Sequence, residues 1–321
     1  MTESRAAIRP PRIARGETLG VIAPAGPIRP ASAGALRRGL DRLAETFRIR
    51  IAPSLERPER GPDVASYLAA SDDERAAEFA AMLGDPEVRA IVLARGGYGI
   101  MRILRRLDPE LLRRDPKPIV GFSDATALLA WAHAAGVRGI HGPTVLQLAD
   151  LPGSDLERLV ALLGDPTPPG VRPWQLAAYG RGRVRGPLVP ANLTMASMLV
   201  GTPWALPFGA AIALFEEVGE RPYELDRYLT QLALTGTLSQ VAAVVVADLT
   251  RCDDPNPPSG VPDPVDAGLR TVLERLAAAG VACAVGAPIG HGIRNEAVPF
   301  GADCELDFDR GTLEILEGAV A

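Results

Sequence analysis

The chain contains 321 residues, of which 47% are hydrophobic and 23% are charged, and it carries a formal net charge of −5. These values are typical of a globular protein of about two domains. The negative charge disfavours nucleic acid or an anionic membrane as the main partner. No apolar run approaches the ~20 residues of a membrane span, and residues 1–16 lack the apolar core of a secretory signal. We therefore expect a cytoplasmic protein with neither a membrane nor a nucleic acid as its partner.

Three residue types that often carry chemistry are scarce. The three cysteines, Cys252, Cys283 and Cys304, lack ligand-like spacing and are predicted to be buried thiols, in keeping with a reducing cytoplasm. Only three histidines are present, which disfavours a metal site built mainly from histidine. Lys117 is the only lysine, so any Schiff-base or Ser–Lys chemistry would depend on it.

The first half of the chain alternates predicted strands with predicted helices. Short apolar strands are predicted at 18–23, 50–52, 90–93 and 118–121, and helices at 31–47, 71–83, 100–107 and 124–135. The second of these helices, 71–83, opens with a capping box at Ser71. The alternation predicts an α/β fold with a doubly wound, flavodoxin-like parallel sheet. In such sheets ligands bind beyond the carboxyl ends of the strands.

A second, smaller α/β domain is predicted after a connection. Pro- and Gly-rich stretches at 165–170 and 180–183 should break regular structure. We therefore divide the chain into an N-terminal domain (1–152), a linker (153–185) and a C-terminal domain (186–321). The C-terminal elements are helices at 192–199, 221–235 and 265–279, strands at 211–215, 241–247 and 281–286, a Pro-rich loop at 253–264 and a hairpin at 305–308 and 312–316.

Ser123 lies at the turn between a predicted strand and the helix that follows it. Free backbone N–H groups and the dipole at a helix N-terminus favour a developing negative charge, which suits a nucleophile. Serine is also a common helix cap. Taken alone, this segment favours the cap.

Acyl transfer by a serine also requires a base and an acid that orients the base. His133 lies within a predicted helix and is assigned to packing or to the surface. His141 and His291 both lie at strand ends, and glycines flank His291, so both remain candidates. Glu216 and Glu217 follow an apolar strand, where an unpaired buried carboxylate is costly. Alternatively, the two glutamates form an acidic turn before the next helix.

The glycine-rich segment Arg95–Gly99 follows another predicted strand. It contains neither a dinucleotide fingerprint nor a P-loop, which weakens a nucleotide-binding interpretation. The same loop could supply an N–H group to an oxyanion. Arg95 either recognises a substrate carboxylate by two-pronged hydrogen bonding or forms a structural ion pair.

Six segments together resemble the LD-carboxypeptidase family of serine peptidases, which includes muramoyl-tetrapeptide carboxypeptidases and microcin C immunity proteins. They are Val-Ile-Ala-Pro-Ala-Gly-Pro (21–27), Arg-Gly-Gly-Tyr-Gly (95–99), Gly-Phe-Ser-Asp-Ala-Thr (121–126), His-Gly-Pro (141–143), Phe-Glu-Glu-Val-Gly-Glu-Arg-Pro-Tyr (215–223) and Pro-Ile-Gly-His-Gly (288–292). No single segment is decisive, but their order and spacing over nearly the whole chain are specific.

The resemblance implies a Ser–His–Glu triad shared by the two domains. It assigns Ser123 as the nucleophile and His291, rather than His141, as the base. It assigns Glu216, rather than Glu217, as the acid that orients the base.

The resemblance also implies that the backbone N–H groups of Gly97 and Asp124 bind the oxyanion, with the substrate in a cleft between the domains. The family reaction hydrolyses an amide between an L-configured centre and a terminal D-amino acid, through an acyl-enzyme. In the murein tetrapeptide it releases D-alanine from diaminopimelate during cytoplasmic cell-wall recycling. No metal or organic cofactor is implied, and a homodimer is expected.

The sequence departs from the family in two places. The family often has Gly-Gly-Asn where this chain has Pro190-Ala191-Asn192, and segment 251–264 is unusually rich in proline and aspartate. If these segments line the cleft, the substrate could differ from the murein tetrapeptide.

Three alternative functions remain. The same scaffold could inactivate a peptidyl- or aminoacyl-nucleotide antibiotic, which an aromatic side chain stacked on the base would favour. Trp174 and Trp204 are available for this, although both are expected to be packing residues. A non-catalytic two-domain binding protein would keep its ligand affinity when Ser123 is replaced. A nucleotide-dependent oxidoreductase would require the fingerprint that this sequence lacks.

Overall fold

The computed structural model describes residues 7–56, 64–254 and 266–321. By its contacts the chain divides into two units. The first unit comprises Met1–Pro168, Glu296–Gly301 and Gly318–Ala321, and the second comprises Pro169–Asn295 and Ala302–Glu317. The chain therefore returns twice to the first unit near its C-terminus, which the sequence-based division at 186–321 did not include.

The strands and helices are numbered along the described chain. The strands are β1 (Thr18–Ile22), β2 (Arg48–Ile51), β3 (Val88–Leu93), β4 (Ile119–Gly121), β5 (Ile140–His141), β6 (Gly170–Val171), β7 (Ala177–Tyr179), β8 (Arg183–Asn192), β9 (Ile212–Val218), β10 (Ala243–Thr250), β11 (Cys283–Val285), β12 (Val298–Pro299), β13 (Asp303–Asp307) and β14 (Thr312–Ile315). The α-helices are α1 (Ala33–Ala44), α2 (Pro53–Glu56), α3 (Asp72–Gly84), α4 (Ile100–Ile103), α5 (Pro109–Arg114), α6 (Thr126–Ala134), α7 (Val145–Leu148), α8 (Gly153–Gly164), α9 (Leu193–Met198), α10 (Pro222–Leu234) and α11 (Ala267–Ala278).

The sheet of the first unit has the strand order β12-β5-β4-β3-β1-β2. Strands β1 to β5 are parallel to their neighbours, and β12 pairs antiparallel with β5 at the edge. Apart from β12, this is the strand order of a flavodoxin-like, doubly wound domain. The predicted fold class is confirmed.

Helices cover both faces of this sheet. Successive residues of each strand point to opposite faces, so one strand contributes side chains to both helical layers. Leu19 and Val21 of β1 are fully buried in a core that also contains side chains of α1, α7 and α8. Gly20 faces the other layer, where an added Cβ would lie 3.0 Å from the Met82 sulfur of α3. The predicted capping box is confirmed at the start of α3, where the Ser71 hydroxyl accepts from the Glu74 N–H.

The predicted linker, 153–185, is where the structure departs most from the sequence-based division. Its first third is helix α8, whose Leu159, Leu162 and Leu163 are buried in the first unit. The residues that break regular structure come after this helix, and β8 already begins at Arg183. The prediction of a continuous connection is therefore wrong for α8, because its leucines recur at helical spacing and bury one face.

The sheet of the second unit has the order β6-β14-β13-β8-β9-β10-β11-β7. Its central strands, β8 to β11, are parallel, and the outer strands pair antiparallel. The predicted C-terminal hairpin is confirmed as β13 and β14. Of the predicted Pro-rich loop at 253–264, residues 255–264 lie outside the described residues, as does the first residue of the helix predicted at 265–279.

The predictions for the cysteines can be compared directly with the structure. Cys252, Cys283 and Cys304 are free and buried, as predicted, and burial raises the pKa of the Cys252 thiol to about 12. Along the described ranges, no helix is both long enough and apolar enough to cross a membrane.

Candidate functional site

Ser123 follows the end of β4 in a strained turn. Its φ of 63° lies in the left-handed region, which side chains other than glycine rarely adopt. A 3₁₀ turn, Ser123–Ala125, leads from it directly into α6, whose cap position is occupied by Ala125. Ser123 therefore does not hold the cap position of α6. The sharp turn from strand to helix is instead the geometry that presents a nucleophilic hydroxyl.

The glycine-rich loop lies directly against this serine. A Cβ added to Gly96 would lie 3.1 Å from both Cβ and Oγ of Ser123. Gly97 has a φ of 118°, and a Cβ there would lie 3.2 Å from the Gly26 Cα. Glycine at position 96 thus allows the loop backbone to lie close to Ser123, and glycine at position 97 allows it to lie close to Gly26.

Arg95 holds the same loop through backbone contacts. Its Nε donates to the carbonyl oxygen of Gly96 at 3.1 Å, and its Nη1 donates to that of Pro27 at 2.8 Å. Burial, and then the charge of Arg29, lower the pKa of Arg95. The hydrogen-bond partners found for Arg95 in the described chain are carbonyl oxygens, which differs from the ion pair considered in the sequence analysis.

The side chain of Asp124 contacts Ile100, the residue that follows the glycine-rich loop. It is only 4% exposed, and its Oδ2 accepts a hydrogen bond from the Ile100 N–H at 2.9 Å. Burial raises the pKa of Asp124 to about 6, while the Ile100 hydrogen bond and the charge of Arg75 oppose this rise. The backbone N–H of Asp124 lies in the first turn of a helix, where N–H groups have no intrahelical acceptor.

In the second unit, Glu216 and Glu217 lie within β9 and not beyond its end. The alternative interpretation as an acidic turn is therefore wrong, since pairing with β10 extends the strand as far as Val218. The carboxylate at the start of α10 is instead Glu224, which accepts from the Arg221 N–H at 2.8 Å. Because side chains alternate along a strand, the two neighbouring glutamates point to opposite faces.

Glu216 is hydrogen-bonded to His291. Its Oε2 lies 2.7 Å from His291 Nδ1, and the Glu216 side chain is completely buried while that of His291 is 20% exposed. The other oxygen, Oε1, has no hydrogen-bond partner among the described residues. Burial lowers the pKa of His291, but the hydrogen bond and charge of Glu216, with the more distant charges of Glu217 and Asp248, raise it overall.

Glu217 makes a different set of contacts. Its Oε1 accepts from Asn192 Nδ2 at 2.8 Å and from the Val218 N–H at 2.9 Å. Its Oε2 accepts from the N–H and the hydroxyl of Thr194, each at 2.7 Å. Burial, and then the charge of Glu216, raise the pKa of Glu217. Three of these four hydrogen bonds, those from Asn192 and Thr194, tie β9 to the start of α9.

Asp248 is a residue near the histidine that the sequence analysis missed. A Cβ added to Gly290 would lie 2.9 Å from the Asp248 Cβ and 3.1 Å from the Glu216 Cβ, and Gly290 has a φ of 140°. A Cβ added to Gly292 would lie 2.9 Å from Asp248 Oδ2. The glycines that flank His291 thus allow its loop to pack against both carboxylates. Asp248 comes directly after the apolar residues 243–247 of β10, which is the same signal that marked the glutamates.

A cavity of about 360 Å³ lies beside this loop in the second unit. Asp248 and Gly292 contribute to its lining, with Asp266 and Arg294 as further charged groups. Neither Glu216 nor His291 belongs to the lining. The cavity is therefore next to the hydrogen-bonded pair and does not contain it.

The remaining candidates from the sequence lie elsewhere. His141 is fully buried, and its ring packs edge-on against Phe122 with centroids 5.9 Å apart. Trp174 is 5% exposed, with the Arg172 guanidinium 5.8 Å from its ring, as expected of a packing residue. The Lys117 ammonium is buried and donates to three carbonyl oxygens at the end of α3.

No group of three or more His, Cys, Asp or Glu side chains in the described residues is arranged to hold a metal ion. The structure thus brings together Ser123, Gly97, Asp124 and Arg95 in the first unit. It brings together Glu216 and His291 in the second.

Comparison with known proteins agrees with this two-part architecture. Residues 19–142 match the LD-carboxypeptidase N-terminal domain, and residues 185–306 match the LD-carboxypeptidase C-terminal domain. A probable murein peptide carboxypeptidase of Bacillus subtilis is 31% identical over 97% of this chain and 95% of its own length. The murein tetrapeptide carboxypeptidase of Pseudomonas aeruginosa is 33% identical over 76% of this chain and 80% of its own length.

Among solved structures, the microcin C7 self-immunity protein MccF superposes with a TM-score of 0.85 at 21% identity. The superposition covers 99% of this chain and 100% of MccF. At this identity, the similarity establishes the fold. The two domain matches, over residues 19–142 and 185–306, show that the chain belongs to the LD-carboxypeptidase family of peptidases.

Proposed function

We propose that the protein is a serine carboxypeptidase that hydrolyses an L,D-amide bond and releases a terminal D-amino acid. The proposed substrate is the murein tetrapeptide, from which it would release D-alanine during cell-wall recycling. The observation that carries the proposal is the 2.7 Å hydrogen bond between His291 Nδ1 and the buried Glu216. The two murein carboxypeptidases that are at least 31% identical to this chain support the substrate class.

The hydrogen bond explains how His291 would act as a base. With the Nδ1 proton donated to Glu216, Nε2 is the unprotonated ring nitrogen, and it would accept the proton of Ser123 as the serine hydroxyl attacks the amide carbonyl. The carboxylate then stabilises the imidazolium that forms. We assign Glu216 and not Glu217 to this role because the four hydrogen bonds of Glu217 go to other partners.

The oxyanion of the tetrahedral intermediate would be bound by the backbone N–H groups of Gly97 and Asp124. The close contact of the glycine-rich loop with Ser123 and the position of Asp124 in a first helical turn support this assignment. His291 would next protonate the leaving D-alanine, and water would hydrolyse the acyl-enzyme on Ser123. Arg95 is proposed to attract the substrate carboxylate from beside Gly97, since a Cβ at Gly97 would lie 3.6 Å from Arg95 Nη2.

The test is mass spectrometry of free and sugar-linked murein tetrapeptide incubated with the enzyme. We expect D-alanine and the tripeptide from the wild type, and no product from Ser123→Ala. The control is Ser154→Ala, which removes the hydroxyl of an exposed serine in α8 of the same unit and should leave turnover unchanged. A tetrapeptide ending in L-alanine should remain intact. If the L-alanine peptide is cleaved equally well, the L,D specificity is wrong.

A second candidate function has a specific observation behind it. MccF, which shares this fold, has been solved in complex with aspartyl sulfamoyl adenosine. The same assay should therefore include aminoacyl-sulfamoyl adenosines. Turnover of these compounds with an intact tetrapeptide would assign the protein to antibiotic inactivation. Binding without turnover, retained in Ser123→Ala, would indicate a non-catalytic binding protein.

We further propose that the enzyme acts in the cytoplasm as a homodimer. Three free, buried cysteines are consistent with a reducing compartment, and the dimer is what the family resemblance implies. Light scattering coupled to size-exclusion chromatography measures the oligomeric state, and a mass of about 34 kDa, that of one chain, would exclude the dimer.

A further inference from the structure

Arg75 is a buried arginine that contacts three separate segments of the first unit. Its side chain is only 1% exposed, although it belongs to the polar sequence that opens α3. Nη1 donates to the carbonyl oxygens of Gly99, at 2.9 Å, and of Pro24, and Nε donates to that of Ala70 at 3.2 Å. Nη2 is paired with the carboxylate of Asp72. One guanidinium thus uses all three nitrogens to hold backbone or carboxylate oxygens.

Two of these contacts hold the glycine-rich loop and the segment against which it packs. Gly99 is the last residue of that loop and has a φ of 127°. A Cβ on Gly99 would lie 2.6 Å from a Leu68 methyl and 3.0 Å from Arg75 Nη1, so the guanidinium is packed tightly against it. Pro24 belongs to the segment whose Gly26 N–H donates to the Gly96 carbonyl at 3.3 Å. Arg75 therefore anchors both the loop and the segment on which the loop rests.

Asp124 completes the connection to the nucleophile. Its carboxylate accepts from the N–H of Ile100, the residue after Gly99, and its backbone directly follows Ser123. The charges of Arg75 and Asp124 also attract each other. A continuous path of polar contacts therefore runs from Arg75 through Gly99 and Ile100 to the turn that carries Ser123.

We propose that Arg75 and the Asp124 carboxylate are positioning residues that fix the glycine-rich loop relative to Ser123, and thereby set the geometry of the oxyanion donors. This inference rests on the proposed function. We call the contacts of Arg75 and of the Asp124 carboxylate the brace. A misplaced oxyanion donor weakens binding of the transition state and not of the ground state. Loss of the brace therefore lowers kcat and leaves KM nearly unchanged.

The test compares two buried arginines of the same unit. Arg75→Lys keeps the charge but replaces the planar fork by a single ammonium, which cannot hold three segments at once. Arg138→Lys is the matched control. Arg138 is 5% exposed and donates to the carbonyl oxygens of Gly318, at 2.8 Å, and Gly301, at 3.2 Å, two residues near the C-terminus of the chain.

Steady-state kinetics and amide hydrogen exchange are measured for each variant, at a temperature where circular dichroism shows both variants to be folded. We expect Arg75→Lys to lower kcat on the tetrapeptide by about 10- to 100-fold at a KM within about threefold of the wild type. It should also speed amide hydrogen exchange in residues 96–100. Arg138→Lys should change neither quantity in this way. Asp124→Asn, which keeps an acceptor oxygen for the Ile100 N–H, should lose less kcat than Asp124→Leu.

Hydrogen exchange separates this proposal from the proposed function. If the wild type hydrolyses neither the tetrapeptide nor an aminoacyl-sulfamoyl adenosine, the proposed function fails, and faster exchange at 96–100 in Arg75→Lys alone still supports the brace. Unchanged exchange in Arg75→Lys overturns the brace. An equal loss of kcat in Arg75→Lys and Arg138→Lys overturns the positioning role, because the effect would then follow from general destabilisation.

Discussion

The two adjacent glutamates of β9 permit a matched test of which carboxylate acts on His291. Glu216→Gln and Glu217→Gln make the same chemical change one residue apart on one strand. We predict that the first variant loses activity and keeps its stability. The second should lose stability and keep most of its kcat.

The expected loss for Glu216→Gln follows from its contact with His291. Replacing the carboxylate removes the negative charge 2.7 Å from Nδ1 and offers an amide that can bind the wrong tautomer. In other triads a comparable change lowers kcat by roughly 10⁴-fold. We therefore expect a loss of about 10²- to 10⁴-fold, or about 3–5 kcal/mol of transition-state stabilisation. At a pH above the folded pKa of His291, stability should not fall, because Oε1 of this buried carboxylate lacks a partner among the described residues.

The expected loss for Glu217→Gln is one of folding free energy. One carboxylate oxygen becomes an amide nitrogen, so one pair of donors, from Thr194 or from Asn192 and Val218, faces another donor. Hydrogen bonds to charged groups contribute about 1.5–3 kcal/mol each. The net loss is smaller than the sum for two such bonds, because a neutral amide costs less to bury than a carboxylate and can rotate to restore some contacts. We therefore expect the free energy of unfolding to fall by about 3 kcal/mol. For a domain of this size that corresponds to a fall in Tm of about 10 °C.

The assay combines urea unfolding with pH profiles of kcat/KM. Since Glu216 raises the pKa of His291, the acid limb of the wild-type profile should lie above the ordinary histidine value of ~6.5 and should move down in Glu216→Gln. The raised pKa stabilises the folded state below that ordinary value, and this contribution is lost as the pH rises through the folded pKa. Glu216→Gln should remove that dependence. A larger loss of kcat in Glu217→Gln than in Glu216→Gln, with stability intact, would refute the assignment.

Three further predictions concern the first unit. Gly96→Ala should lower kcat about 10- to 100-fold, because its Cβ would press on Ser123 at 3.1 Å, whereas Gly34→Ala, with one side-chain atom at 3.9 Å, should leave steady-state kinetics unchanged. Burial raises the pKa of Asp124 to about 6, so the stability of the wild type should fall as the pH rises from ~4 through 6. Relative to Asp124→Asn, the fall should be about 3 kcal/mol. Parallel urea titrations of the two proteins at several pH values check this. Lys117→Met should leave three carbonyl oxygens without their donor and lower the free energy of unfolding by about 3 kcal/mol, with unchanged kcat. A Lys117→Met variant that unfolds at the wild-type urea midpoint would contradict the last of these.

The first unit was largely predictable from the sequence because its signals are local. Apolar strands alternate with helical spacing, and the capping box at Ser71 marks the start of α3 unambiguously. The edge strand β12 was not predictable in the same way. It is two residues long and pairs with β5 from more than 150 positions away, so its place depends on tertiary packing alone. The helix α8 was missed because the Pro-rich residues after it dominated the interpretation of that segment.

The candidate site was only partly predictable. Ser123, Glu216 and His291 stand out because a polar residue near the end of an apolar strand is unusual. The choice of Glu216 over Glu217 came from family resemblance, since the two are adjacent and identical in type. No local signal marks Arg75, because an arginine after three acidic residues at a helix start is typical of a solvated surface. Its burial follows from loops that reach it from elsewhere in the chain.

The buried charged groups of the described chain differ in how completely they are satisfied, and the difference separates structural roles from functional ones. Lys117 has three carbonyl acceptors and Glu217 has four donors, so each stabilises the element it joins. Glu216 is equally buried, yet one of its oxygens has no partner in the described residues, and the other is committed to a partly exposed histidine. Burying a carboxylate with one oxygen unpaired costs free energy, so such a group contributes little to the stability of the fold. We therefore propose that Glu216 serves the chemistry of His291, and we expect its replacement to affect turnover while leaving the fold intact.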